Sequence, residues 1–108
     1  MKIAMSADGK TLDDNISDFF GRCPYFIFAE IEDGKVAKVE AMKNNNVDQM
    51  GGAGLSAAKL MAEKNVDVVI AGNVGPRALD GLKQFNIEVR SASGKVAEIL
   101  DDFIKKIT

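Results

Sequence analysis

The chain has 108 residues, enough for one domain built on one hydrophobic core. Its 46% apolar and 28% charged residues exclude the disordered class, and a formal charge of −2 leaves no basic surface for a duplex, so nucleic acid is not expected as a partner. Histidine is absent and Cys23 is the one cysteine, which excludes imidazole chemistry and an internal disulfide and restricts any protein metal ligand to sulfur or oxygen.

Residues 2–6 read as a short apolar first strand ended by Asp8-Gly9. The apolar run from Met1 to Met5 meets Asp8 too soon for a signal peptide. No apolar stretch approaches the roughly 18 residues of a membrane span, so a cytoplasmic protein with no membrane contact is expected. Ser17-Asp18-Phe19-Phe20 suits a brief helical turn, capped by Ser17 and stopped at Gly21. Pro24 precedes a strong aromatic strand over 25–31, and Asp33-Gly34 predicts a tight hairpin turn with positive φ. In the returning strand, 35–42, Lys38 and Glu40 alternate with Val39 and Ala41, the pattern of an edge strand with one solvated face.

The stretch from Asn44 to Gly52 has no periodicity and is expected to be a mobile loop. A helix begins near Ala53, carrying Leu55, Ala58, Met61 and Ala62 on its apolar stripe, and Asn65 ends it in the left-handed region. Residues 66–70 form a buried, β-branched strand, broken by Gly72-Asn73-Val74-Gly75. Pro76 opens a second helix with the stripe Ala78, Leu82 and Phe85, closed by Asn86. Residues 87–90 are a last short strand. Ser93 then caps a helix striped by Val96, Ile99, Leu100, Phe103 and Ile107.

This order predicts an α/β fold with a five-stranded mixed sheet. The first three strands form an antiparallel meander, the last two run parallel to strand one, and helices pack on the sheet; residues 1–108 make a single domain. Such a topology gathers Asp8, Arg22-Cys23-Pro24, Lys43-Asn44, Gly72-Asn73 and Ser91 at one sheet edge, where both crossover helices also begin, at Gly51-Gly52-Ala53-Gly54 and at Val74-Gly75-Pro76. Glycine-rich helix starts let backbone N–H groups approach an anion, which the helix dipole favours. They are also ordinary turns, and neither a P-loop nor a dinucleotide fingerprint is present. Cys23 has two readings: a buried small hydrophobe, or a ligand whose pKa is lowered by Arg22 and the helix ends. Met50 is either loop filler or a soft thioether ligand. Asp8, Asp48 and Asp67 do not gather as a two-metal nuclease requires, and without a base hydrolytic chemistry is not expected.

Phe20-Gly21-Arg22-Cys23-Pro24-Tyr25-Phe26, Ile31-Glu32-Asp33-Gly34, Gly51-Gly52-Ala53-Gly54 and the run from Asp67 to Pro76 occur in one order over nearly the whole chain. Together they resemble the dinitrogenase iron–molybdenum cofactor family, which includes nitrogenase accessory proteins and the orange protein with its molybdenum–copper sulfide cluster. The resemblance implies a ribonuclease-H-like fold without enzyme activity. It also implies a carrier or scaffold for an anionic metal–sulfur cluster (Fe–Mo–S or Mo–Cu–S) or its precursor, working with cluster-assembly proteins. The contact positions it implies are Arg22, Cys23, Gly51, Gly52, Ala53, Gly54, Asn73, Val74 and Gly75, with Cys23 as the metal ligand. Nitrogenase-associated members often carry histidine before the Phe-Gly pair, where this chain has Phe19; that departure favours a stand-alone relative, and a metal-free regulatory or protein-interaction module of the same fold is the alternative.

Overall fold

Among the described residues, the non-glycine positions with positive φ are Asp33, Asn65 and Asn86, at 54°, 60° and 60°. These residue types tolerate that region because their side chains are short and polar. Each reverses or ends an element. The computed structural model describes residues 1–45 and 51–107. In chain order the elements are β1 (Lys2–Ala7), β2 (Tyr25–Glu32), β3 (Lys35–Lys43), α1 (Ala53–Glu63), β4 (Val68–Ala71), α2 (Pro76–Gln84), β5 (Glu88–Ser91) and α3 (Val96–Ile107). Asp33 and Gly34, both at positive φ, make the hairpin between β2 and β3, and Asn65 and Asn86 follow α1 and α2.

The strands form one sheet in the order β3-β2-β1-β4-β5. β1 pairs antiparallel with β2, β2 antiparallel with β3, and β4 lies parallel to both β1 and β5, as the element order predicts. Alternation along the strands sends side chains to two cores. Ala4, Phe26, Phe28, Val69 and Ala71 pack with Ala57, Ala58 and Met61 of α1 and with Ala78 and Leu82 of α2. Ile3, Met5, Ile27, Ala29, Val68 and Ile70 pack on the other face with Val96, Leu100 and Phe103 of α3. Among the described residues, no helix is long and apolar enough to cross a membrane.

Four local expectations change. Segment 17–20 is not a helical turn but runs beside the exit of β4. Phe20 N–H donates to the Asn73 carbonyl at 2.9 Å, Gly72 N–H to the Ser17 carbonyl at 3.0 Å, and Asn73 Nδ2 to the Asp18 carbonyl at 3.0 Å. These long-range bonds satisfy the backbone groups that a local turn would have used. The start of α3 lies at Val96, past Gly94, rather than beside Ser93; Val96 and Ala97 N–H groups donate to the Asp14 and Leu12 carbonyls at 2.9 Å each, so backbone replaces the serine cap.

The stripes of α1 and α2 turn slightly from the predicted ones. Ala57 and Gly81 are buried, while Leu55 and Phe85 are exposed. On β3 the alternation fails: Val36 and Val39 are exposed along with Lys38 and Glu40, because of this strand only Met42 packs against either core. Its lysines and a register shift opposite Glu30/Ile31 are the usual guards of a free edge. The predicted loop falls largely on residues 46–50, which with Met50 lie outside the described residues.

Candidate functional site

Two helices begin side by side at the carboxyl ends of β1 and β4. α1 is preceded by Gly52 at φ 71°, a conformation that favours glycine, and α2 by Gly75 followed by Pro76 at the first helical position. Close packing of small residues holds the two starts together. A Cβ on Gly54 would stand 2.9 Å from Ala78 Cβ, and one on Gly21 (φ 95°) would stand 2.9 Å from the backbone of Gly54. Gly72 is equally constrained, since a Cβ there would reach 2.7 Å from Asp18 Cα. Three glycines are therefore explained by backbone approaching backbone or a neighbouring methyl.

Between these segments lies a cavity of about 640 Å³ lined by Phe19, Phe20, Arg22, the 52–55 turn and residues 73–78. Its electrostatics follow from what the helix starts lack. Neither α1 nor α2 has a side-chain cap or an acidic residue in its first turn. Both positive helix ends consequently face the cavity with no carboxylate in their own first turns. Arg77 sits in the first turn of α2, where a cation opposes the dipole, and Arg22 adds a second guanidinium. Arrangements of like sign are stable when an anion joins them. The contrast with α3 is direct, because its first turn carries Glu98 and its first N–H groups are bonded to Leu12 and Asp14.

Gly75 gives a second indication. Its φ of −65° and ψ of 162° suit any residue, and an added Cβ would meet nothing within 4 Å. Neither strain nor packing requires glycine there; its place as a helix cap favours it, and so does a ligand pressed against the backbone. Donor N–H groups, two guanidiniums and a bare backbone at the wall fit a bulky anion. Among the described residues no group of three or more Cys, Asp or Glu side chains is placed to hold a bare metal ion.

Of the expected contact positions, Arg22, Gly52, Ala53, Gly54, Asn73, Val74 and Gly75 line this one cavity. Gly51 does not, and the Asn73 amide is engaged with the Asp18 carbonyl. Cys23 lies apart from these residues. It is fully buried, packs in the core with Phe20 and Phe26, and does not line the cavity. Burial pushes its thiol up to about 11, the reverse of the lowering expected from nearby positive charge; hydrogen bonds from Gly21, Ala7 and Asn44 offset only part of that. Sequence reasoning missed Arg77, whose signal is a cation in the first turn of a helix, and Leu55, which lines the mouth instead of filling the core.

The chain is 38% identical over 93 residues to an uncharacterized protein of Methanocaldococcus jannaschii, an alignment spanning 86% of this chain and 75% of that protein. Its fold superposes on the apo form of the orange protein from Desulfovibrio gigas with a TM-score of 0.89 at 28% identity, over 97% of this chain and 88% of that one. A putative NifB protein from Thermotoga gives 0.72 at 31% identity over 96% and 87% of the two chains. The model of the dinitrogenase iron-molybdenum cofactor family matches residues 1–106, and the chain belongs to that family.

Proposed function

We propose that the cavity between α1 and α2 binds an anionic metal–sulfur cluster or its precursor, of the Fe–Mo–S or Mo–Cu–S kind, and that the chain carries or scaffolds this cargo. The observation that carries the reading is the convergence of two helix starts without acid or side-chain cap on one cavity that also holds Arg22 and Arg77. The family and the likeness to the orange protein support it. Sulfide supplied by the cluster completes the metal's inner sphere, so no protein thiolate is needed and Cys23 stays in the core. A thiometallate spreads its charge over several soft atoms, so it loses less hydration against Phe19, Phe20, Leu55 and Val74 than a compact oxyanion does.

Mixing the protein with tetrathiomolybdate, with and without copper, tests this. The expected result is co-elution of metal with protein and a charge-transfer band in the visible region. Metal that separates completely from the protein on gel filtration, in both mixtures and after anaerobic isolation, overturns the reading. A metal-free interaction module is the second reading, favoured by Phe19, 61% exposed, which lines the cavity as exposed Leu55 does. A stable complex with a cluster-assembly protein, formed without metal and lost in Phe19→Ser, distinguishes it.

A further inference from the structure

Asn44 follows β3 directly and is buried, 4% exposed, although its side chain is polar. Its amide nitrogen donates to two carbonyls, that of Gly21 at 2.9 Å and that of Cys23 at 2.8 Å. Those carbonyls flank one residue, Arg22. The backbone N–H of Asn44 donates to the Pro24 carbonyl at 2.9 Å, so three hydrogen bonds from Asn44 tie down segment 21–24. On its other side the segment is seated on α1, because Gly21 approaches Gly54 too closely to admit a Cβ.

We infer that Asn44 is a positioning residue for Arg22, holding the backbone on both sides of the guanidinium-bearing residue so that its charge is presented at the cavity before any anion arrives. The inference rests on the reading of the cavity as an anion site, and it adds a residue outside the cavity wall. A long exposed arginine loses conformational freedom when it binds, and an already fixed backbone reduces that loss. Asn is suited to the task. Both hydrogens of one amide serve two carbonyls, which a carboxylate cannot do and a hydroxyl can do for one at most.

The test is a double-mutant cycle on tetrathiomolybdate binding with Arg22→Ala, Asn44→Ala and the pair, each first checked for cooperative thermal unfolding. Asn44→Ala is expected to weaken binding about tenfold, the scale of one hydrogen-bonded contact, and to add nothing once Arg22 is gone. Equal losses from Asn44→Ala in both backgrounds overturn the inference. Should Asn44→Ala not fold, Asn44→Ser takes its place, with a smaller loss that again vanishes in the Arg22→Ala background. Backbone ¹⁵N order parameters of the ligand-free protein give a reading that needs no ligand. Values for Arg22 and Cys23 are expected to fall in the Asn44 variant while those of Gly72 and Val74 hold. Unchanged values at Arg22 overturn the positioning role even if wild-type binding is confirmed. Loss of order at Arg22 in the Asn44 variant, when the wild-type protein binds no thiometallate, sustains the positioning and removes the proposed ligand instead.

Discussion

Gly54 of α1 faces Ala78 of α2 so closely that a Cβ added to the glycine would lie 2.9 Å from the alanine methyl. The contact sets how near the two helix starts stand, and hence how strongly both positive ends act on one point in the cavity. Gly54→Ala weighs two effects of opposite sign. Replacing a helical glycine gains about 1 kcal/mol in propensity, whereas forcing a methyl into a packed contact costs about 1–3 kcal/mol. Net destabilisation and weaker thiometallate binding are expected, and thermal unfolding with a binding titration measures both. An unchanged Tm with unchanged binding shows that the helix spacing is not set here.

Gly75 is the complementary case. Alanine there meets open space in an unstrained conformation. The unfolded chain loses some freedom, a gain of about 0.4–1 kcal/mol, and a poorer helix cap costs a similar amount, so stability stays within about 1 kcal/mol. Binding nevertheless falls, by about tenfold, because the methyl stands between ligand and backbone donors and removes roughly one hydrogen bond's contribution. If Gly75→Ala binds thiometallate as well as the wild type, the close approach of a ligand to this backbone is wrong.

Charge inversion separates the cavity from the general surface. Arg22→Glu and Arg77→Glu each place an anion beside a positive helix end, a local attraction of about 0.3–1 kcal/mol that then competes with the ligand, besides removing a ligand-facing cation. Lys105→Glu changes the net charge identically but disturbs only an exposed pair with Asp101 on α3. Both arginine variants should bind thiometallate at least tenfold more weakly and with a shallower salt dependence. Equal weakening by Lys105→Glu reduces the effect to overall charge.

Local chemistry was legible where backbone conformation demanded particular residues. Asp33-Gly34, Asn65, Asn86 and Pro76 each mark a turn or a helix end, and the order of elements along the chain followed from them. Segment 17–20 was not legible, since its partner is Asn73, more than fifty residues away, and no nearby pattern encodes that pairing. The exposure of Val36 and Val39 was hidden for a related reason: alternation shows that a strand has two faces, and only the packed fold shows that neither core extends to these two residues of β3. At the site, the glycines and Arg22 announced themselves. Arg77 was passed over although Pro76 already marked where its helix begins, and the sequence left Cys23 with two readings because Arg22 beside it supplies charge while burial is visible only in the fold.

That contrast at Cys23 yields a prediction in pH. Burial raises the thiol from about 9 to about 11 in the folded protein, so the unfolded state releases its proton first. Below pH 9 both states hold the proton and stability does not depend on it. Between about 9 and 11 the unfolded state binds fewer protons, so stability falls as pH rises; above 11 both are ionised and the slope vanishes. In Cys23→Ala that part of the alkaline slope should disappear, at a cost of about 1 kcal/mol at neutral pH for one deleted buried atom, with thiometallate binding unchanged. Native protein at pH 8 should resist iodoacetamide and react on unfolding. Rapid alkylation of the folded protein, or loss of metal in Cys23→Ala, returns the thiol to the site and displaces the view that the cluster brings all of its own sulfur.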